Sequence, residues 1–159
     1  MKCFQMNKKQ IFFIILTIFI TGFIFYNSSQ DAADSSRSSG YFVNFIMWCL
    51  NKTGFSISRD TITFLIRKAA HITEFASQSL SFCGIVLNSG KKIKNYVFTI
   101  MFTGLFTACI DEFIQLSSMG RSGQVTDIFV DFFGTLTGIA LLMVFTLLKN
   151  KIELKIKMK

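Results

Sequence analysis

One histidine and a small set of carboxylates, arginines and glutamines fall within stretches that are otherwise apolar. Arg67, His71, Glu74 and Gln78 follow one another at i, i+4, i+7 and i+11, within roughly 60° of one helical face. Asp127, Asp131, Gly134 and Gly138 repeat that interval, and Asp111 and Gln115 stand one turn apart. An imidazole among carboxylates can act as a general acid or base. His71, Glu74 and Asp111 are therefore the candidate catalytic residues. Arg67 and Arg121 have the chemistry to hold a phosphate or a carboxylate. Glu112, Gln115, Asp127 and Asp131 complete the candidate ligand-binding set.

Other chemistries use the same residues. His71 and Glu74 share a face, and Asp111, Asp127 and Asp131 would complete an oxygen-rich site for a divalent metal. With a single histidine in the chain, neither a metal nor a cofactor is assigned. A purely structural reading has Arg67, Lys68 and Arg121 neutralising Glu74, Asp111, Glu112, Asp127 and Asp131 to hold helices together. A proton or ion pathway fits less well, because nothing polar continues into the inner halves of the last two apolar blocks.

The elements that must position these groups are set by hydrophobic patterning. The chain has 159 residues, room for one domain. It is 51% hydrophobic, with twenty Phe and no Pro, and the apolar residues fall in long blocks. Net charge is +8. The basic residues lie between and after the apolar blocks, which fits loops flanking membrane spans and argues against a nucleic-acid partner. Cys3, Cys49, Cys83 and Cys109 form no CxxC pair and read as small apolar fillers.

The expected fold class is an all-α membrane protein of about four transmembrane helices plus a short interfacial helix. Ile11 to Tyr26, after Lys8 and Lys9, is long enough to span and lacks a cleavage site, which favours a retained helix over a signal peptide. Asn27 to Gly40, rich in Ser, Asp and Ala, reads as a solvated loop. Tyr41 to Leu50 is too short to span and, with Tyr41 and Trp48, suits an interfacial helix. Ser58 is a candidate N-cap for the second span. The remaining spans cover about Thr63–Leu87, Tyr96–Leu116 and Val125–Leu148. They are joined by a basic turn around Lys91, Lys92 and Lys94 and by a loop from Ser117 to Gln124. Residues 1–62 thus form an anchor, external loop and interfacial segment, 63–148 a three-helix core, and 149–159 a basic tail.

Orientation follows from the basic residues. The N-terminus, the Lys91 turn and the tail carry eleven of the seventeen Lys and Arg. Four spans place all three on one side, which the positive-inside rule makes cytoplasmic, with both termini inside. At ~1.5 Å per residue, His71, Asp111 and Asp131 then lie on the order of 10 Å below the outer boundary. A charge facing lipid at mid-helix costs ~2.5–3.5 kcal/mol or more. These faces are therefore expected to meet one another or to line a wet, outward-facing pocket.

Three ordered motifs carry a family resemblance: Arg67-Lys68-Ala69-Ala70-His71-Ile72-Thr73-Glu74-Phe75, Asp111-Glu112-Phe113-Ile114-Gln115, and Gly120-Arg121-Ser122-Gly123 followed by Asp127, Asp131 and Gly134. Together they resemble the VanZ-like family over about Arg67 to Gly138. Members often have Pro before the Gly-Arg pair, where this chain has Met119, and Asp131 stands where some have Asn. The resemblance implies a multi-pass protein of the bacterial cell membrane. The family's named member is associated with low-level resistance to the glycopeptide teicoplanin. The expected partners are the lipid bilayer and a cell-wall precursor or other envelope ligand. The competing expectations are a non-enzymatic scaffold or modulator of an envelope enzyme, and a permease.

Overall fold

The computed structural model describes residues 6–121 and 123–157. Cys3 and the Ser122 of the third motif lie outside the described residues, as does the final lysine of the basic tail. The described chain is helical throughout: α1 (Lys8–Ser28), α2 (Ala32–Thr53), α3 (Arg59–Asn88), α4 (Val97–Leu116) and α5 (Val125–Lys157), with a 3-10 turn at Ile93–Asn95 between α3 and α4.

The helix ends have local causes. Asn7 accepts from the Gln10 amide at the start of α1, and Ser58, the expected N-cap, accepts from the Thr61 amide at the start of α3. Gly54 ends α2 in the left-handed conformation, at φ 77°, which a residue with a side chain rarely adopts.

The N-terminal third differs from the sequence-based expectation. Asn27 to Gly40 is not a solvated loop: α1 runs to Ser28, and α2 begins at Ala32 and continues without a break through the stretch expected to form a short interfacial helix. In its polar part the Ser38 and Ser39 hydroxyls are satisfied within the helix, donating to the Asp34 and Ser35 carbonyls one turn back. The α2 entrance is also pinned from outside. Asp31 makes no cap bond to its own helix; its carboxylate accepts from the Met119 amide at 2.9 Å, and the Ala32 amide donates to the Met119 carbonyl at 3.1 Å. Proline at position 119 has no N–H to make the first of these bonds. At the other end, α5 continues past Leu148 as helix to Lys157, so the described part of the basic tail is helical.

Side-chain contacts fix the relative directions of the helices. Thr17, Thr21 and Asn27 of α1 meet Ser81, Gln78 and Glu74 of α3, an antiparallel pairing. On α5, Asp127 and Asp131 meet Lys68 and His71 of α3. Gly134 and Gly138 further along lie against Ile72 and Ala76, so these two helices run parallel. The α4 helix, which lies between them in sequence, runs antiparallel to both, with Thr107 facing Gln78 and Asp111 facing His71. The α3 helix touches α1, α2, α4 and α5 and is the hub of the bundle.

The distribution of side chains is inverted relative to a soluble protein. Gln78, Thr107, Asp111, Glu112, Gln115, Asp131 and Thr135 are buried. Phe12, Phe19 and Phe23 of α1, Phe98, Phe102 and Phe113 of α4, and Phe129, Phe133 and Phe145 of α5 are exposed. Water would penalise so large an apolar exterior, whereas a bilayer rewards it. Three helices among the described residues are long and apolar enough to cross a membrane: α1, α4 and α5 over Val125–Ile156. The α3 helix, which carries Arg67, Lys68, His71 and Glu74, is not among these three.

Candidate functional site

The α3–α5 contact is where the site begins. Glycine at 134 and 138 lets the α5 backbone lie directly on α3. A Cβ at Gly134 would stand 2.6 Å from the Ile72 carbonyl oxygen, and one at Gly138 would collide with Ser79 Oγ and the Ala76 carbonyl. That approach carries the two aspartates on the same stripe into polar partners on α3. Lys68 Nζ meets Asp127 Oδ1 at 2.5 Å, and His71 Nδ1 meets Asp131 Oδ1 at 3.0 Å.

The third carboxylate comes from α4. Asp111 Oδ2 lies 4.0 Å from His71 Nδ1, and Asp111 is fully buried. Its orientation is fixed from two sides: Ser28 Oγ at the end of α1 donates to Oδ1, and Gln115 Nε2 donates to Oδ2 at 2.9 Å. His71, Asp111 and Asp131 thereby each present a ligand-type atom within 4.8 Å of one another. These are the residues with the geometry to hold a metal ion. Asp127 and Glu74 are outside this group: Asp127 pairs with Lys68, and Glu74 accepts from Asn27 Nδ2 at 2.7 Å.

The other sequence candidates surround this centre. Glu112 Oε1 accepts from the Gln124 amide, which ties α4 to the loop before α5; its Oε2 is buried without a hydrogen-bond partner among the described residues. Arg121 reaches the Ser28 carbonyl through a terminal nitrogen at 3.4 Å, while its Nε is buried and unpartnered among the described residues. Burial first, and the nearby Arg67 guanidinium second, hold the Arg121 pKa below its ordinary value. Among the described residues, neither Arg67 nor Arg121 forms an ion pair; the cation that does so here is Lys68.

Two connected cavities open on these groups. One of about 160 Å³ is polar and lies between Arg67, Lys68, His71, Gln115, Arg121 and Asp127. The second, about 320 Å³, lies between α1, α2 and α3 and shares Arg67, His71 and Arg121 with the first. It merges through Phe23, Phe42, Ile66, Ala70 and Glu74 into a larger, apolar groove of about 590 Å³. The cavity system is thus polar at the arginines and apolar along the helices.

Sequence reasoning missed Asn27 and Ser28, which supply the partners of Glu74 and Asp111. It also missed Ser35, Ser38 and Ser39, which line the second cavity. Small polar residues just after an apolar span look like a solvated exit, and only the packing shows them turned inward.

No curated protein and no solved structure matches the chain. A family model does: VanZ/LLP1 matches residues 13–146, which takes in most of α1, the whole charged cluster and most of α5. The chain belongs to the VanZ/LLP1 family.

Proposed function

We propose that this protein spans the bacterial cell membrane four times, with both termini cytoplasmic, and that its pocket receives the anionic head group of a lipid-linked envelope ligand from the outer side. The observation that carries this reading is the placement of Arg67 and Arg121 on both connected cavities, without ion-pair partners among the described residues. The Arg67 guanidinium disfavours the charge on Arg121, and an anion placed between the two would relieve this. The apolar groove beyond Phe23 and Phe42 suits an acyl or prenyl chain.

Orientation rests on charge. Lys8 and Lys9 lie at the same end of the bundle as Lys91, Lys92 and Lys94, because Asn7 Nδ2 donates to the Asn88 carbonyl at 2.7 Å. The cluster is at the opposite end, beside the ends of α1 and α4 and the start of α5. By the positive-inside rule the lysine end is cytoplasmic. His71 then stands where it can exchange a proton with a bound head group, with Asp131 as its direct partner and Glu74 and Asp111 close by.

Binding of a short-chain polyprenyl phosphate to the purified protein in nanodiscs, read by native mass spectrometry, tests the proposal. Selective retention of the phosphate over the neutral polyprenol is expected, with loss of that selectivity in Arg67→Ala and Arg121→Ala. Equal binding of phosphate and alcohol would overturn it. A link to teicoplanin is tested separately, by whether expression raises resistance in a susceptible host and whether Arg121→Ala, still inserted, loses the effect.

A second reading has its own observation. Glu74, Asp111 and Asp127 all hold partners on other helices, as glue in a scaffold or modulator would. It expects wild-type envelope phenotypes from any variant that restores bundle stability.

A further inference from the structure

We propose that His71, Asp111 and Asp131 form a binding site for one divalent transition-metal ion, of the Mn²⁺ class, at the floor of the polar cavity. The inference concerns a separate property of the cluster and stands whether or not the cavity takes a lipid head group.

Three helices supply the three donors: α3 gives an imidazole, and α4 and α5 give one carboxylate each. Ligand atoms bound to one such ion at about 2.0–2.2 Å can be no more than about 4.4 Å apart. His71 Nδ1 stands 3.0 Å from Asp131 Oδ1 and 4.0 Å from Asp111 Oδ2, and the three donors lie within 4.8 Å of one another, so side-chain adjustment would bring them onto one ion. Metal binding at Nδ1 would replace the present contact with Asp131.

A second observation points to a missing partner. Asp131 is fully buried, and while its Oδ1 faces His71, its Oδ2 has no hydrogen-bond partner among the described residues. An orphaned carboxylate oxygen is costly in a low-dielectric interior unless a proton or a cation satisfies it. A divalent ion would supply that partner and balance both carboxylate charges at once.

The surroundings have the organisation that metal sites require. Ser28 and Gln115 orient Asp111 from behind, as partners beyond the ligands do in metalloproteins. Gly134 and Gly138 fix the approach that brings Asp131 to His71. His71 lines both cavities, which gives an entry path to the cluster. The donor set selects the class of ion. One imidazole with two carboxylates suits a borderline to hard divalent transition ion, and no thiolate or thioether is among the donors to favour Cu(I).

The test uses full-length, untagged, chelator-treated protein in detergent, titrated with Mn²⁺ and followed by loss of the free-ion electron paramagnetic resonance signal. One ion per chain is expected. Because His71 is the only histidine in the chain, electron spin-echo modulation from an imidazole nitrogen on the bound Mn²⁺ identifies the site without any mutation. Gln115→Leu, which loosens Asp111 without removing a ligand, is expected to weaken binding roughly 10–100-fold. His71→Gln and Asp131→Asn are expected to abolish the imidazole signature and the stoichiometric site, respectively. No saturable binding by the wild-type protein, or bound Mn²⁺ with no imidazole modulation, would overturn the proposal.

Discussion

His71 Nδ1 and Asp131 Oδ1 lie 3.0 Å apart across sixty residues of sequence. Neither residue makes that contact alone. It requires α5 to lie on α3 through Gly134 and Gly138, and it requires the two helices to run parallel, with α4 as the return connection in sequence. The candidate site is therefore a consequence of backbone approach: remove the approach and the polar groups lose their partners inside an apolar bundle.

That dependence gives the first prediction. Gly138→Ala would bring a methyl onto Ser79 Oγ and the Ala76 carbonyl. Overpacking of this kind costs about 1–3 kcal/mol, a fall in Tm of roughly 2–12 °C for a chain of this size. Gly22→Ala, where nothing lies within 4 Å of the added methyl, should leave Tm unchanged or slightly raised, since alanine is the better helix former. Thermal unfolding of both variants in the same detergent checks the contrast.

The Lys68–Asp127 pair is only partly exposed, at about one fifth for each side chain. A double-mutant cycle with Lys68→Ala and Asp127→Ala should return a coupling of about 1 kcal/mol. The exchanged variant Lys68→Asp with Asp127→Lys should recover part of the stability that each single change removes. If the chain acts only as a scaffold, that variant also regains function; if the basic rim binds a ligand, function stays low.

Gln78 leads to an opposite expectation. It bridges Thr21 of α1 and Thr107 of α4, yet both hydroxyls already donate to carbonyls of their own helices. Interhelical hydrogen bonds in bilayers average ~0.6 kcal/mol. Gln78→Leu keeps the volume and leaves neither hydroxyl unpaired, so it should change stability by less than about 1 kcal/mol. Gln78→Ala, which opens a cavity, should cost more.

Much of this arrangement can be read in the sequence, and the exceptions have physical reasons. The interval from Asp127 to Gly138 carries both charge and small size on one stripe, and the depth of His71, Asp111 and Asp131 follows from helix length; the structure brings those three together. The α2 helix is different. Ser35, Ser38 and Ser39 look solvated by composition, but hydroxyls bonded to carbonyls one turn back are compatible with helix, and all three residues line a cavity. Asn27 and Ser28 are illegible for a related reason, since a short polar side chain at a helix end serves equally well facing water or facing a buried carboxylate. Individual pairings are beyond reach too: helical spacing puts Arg67 and Lys68 side by side, and only packing assigns Asp127 to Lys68.

Topology can be checked independently of ligands. A reporter fused after Lys94 should be cytoplasmic, and one inserted between Ser117 and Gln124 should be external. A cytoplasmic reporter in the second position would reverse the orientation argued from the lysines.

The central claim is that a polar pocket within the bundle opens to the outside, and thiol accessibility at Arg67 tests it most directly. Arg67 lines both cavities, so Arg67→Cys, in a background with the four native cysteines replaced, should react with a small membrane-impermeant methanethiosulfonate added to intact cells. Phe98→Cys, on the exposed apolar face of α4, should not. Reaction of Arg67→Cys only after the reagent is admitted to the cytoplasm would contradict the account.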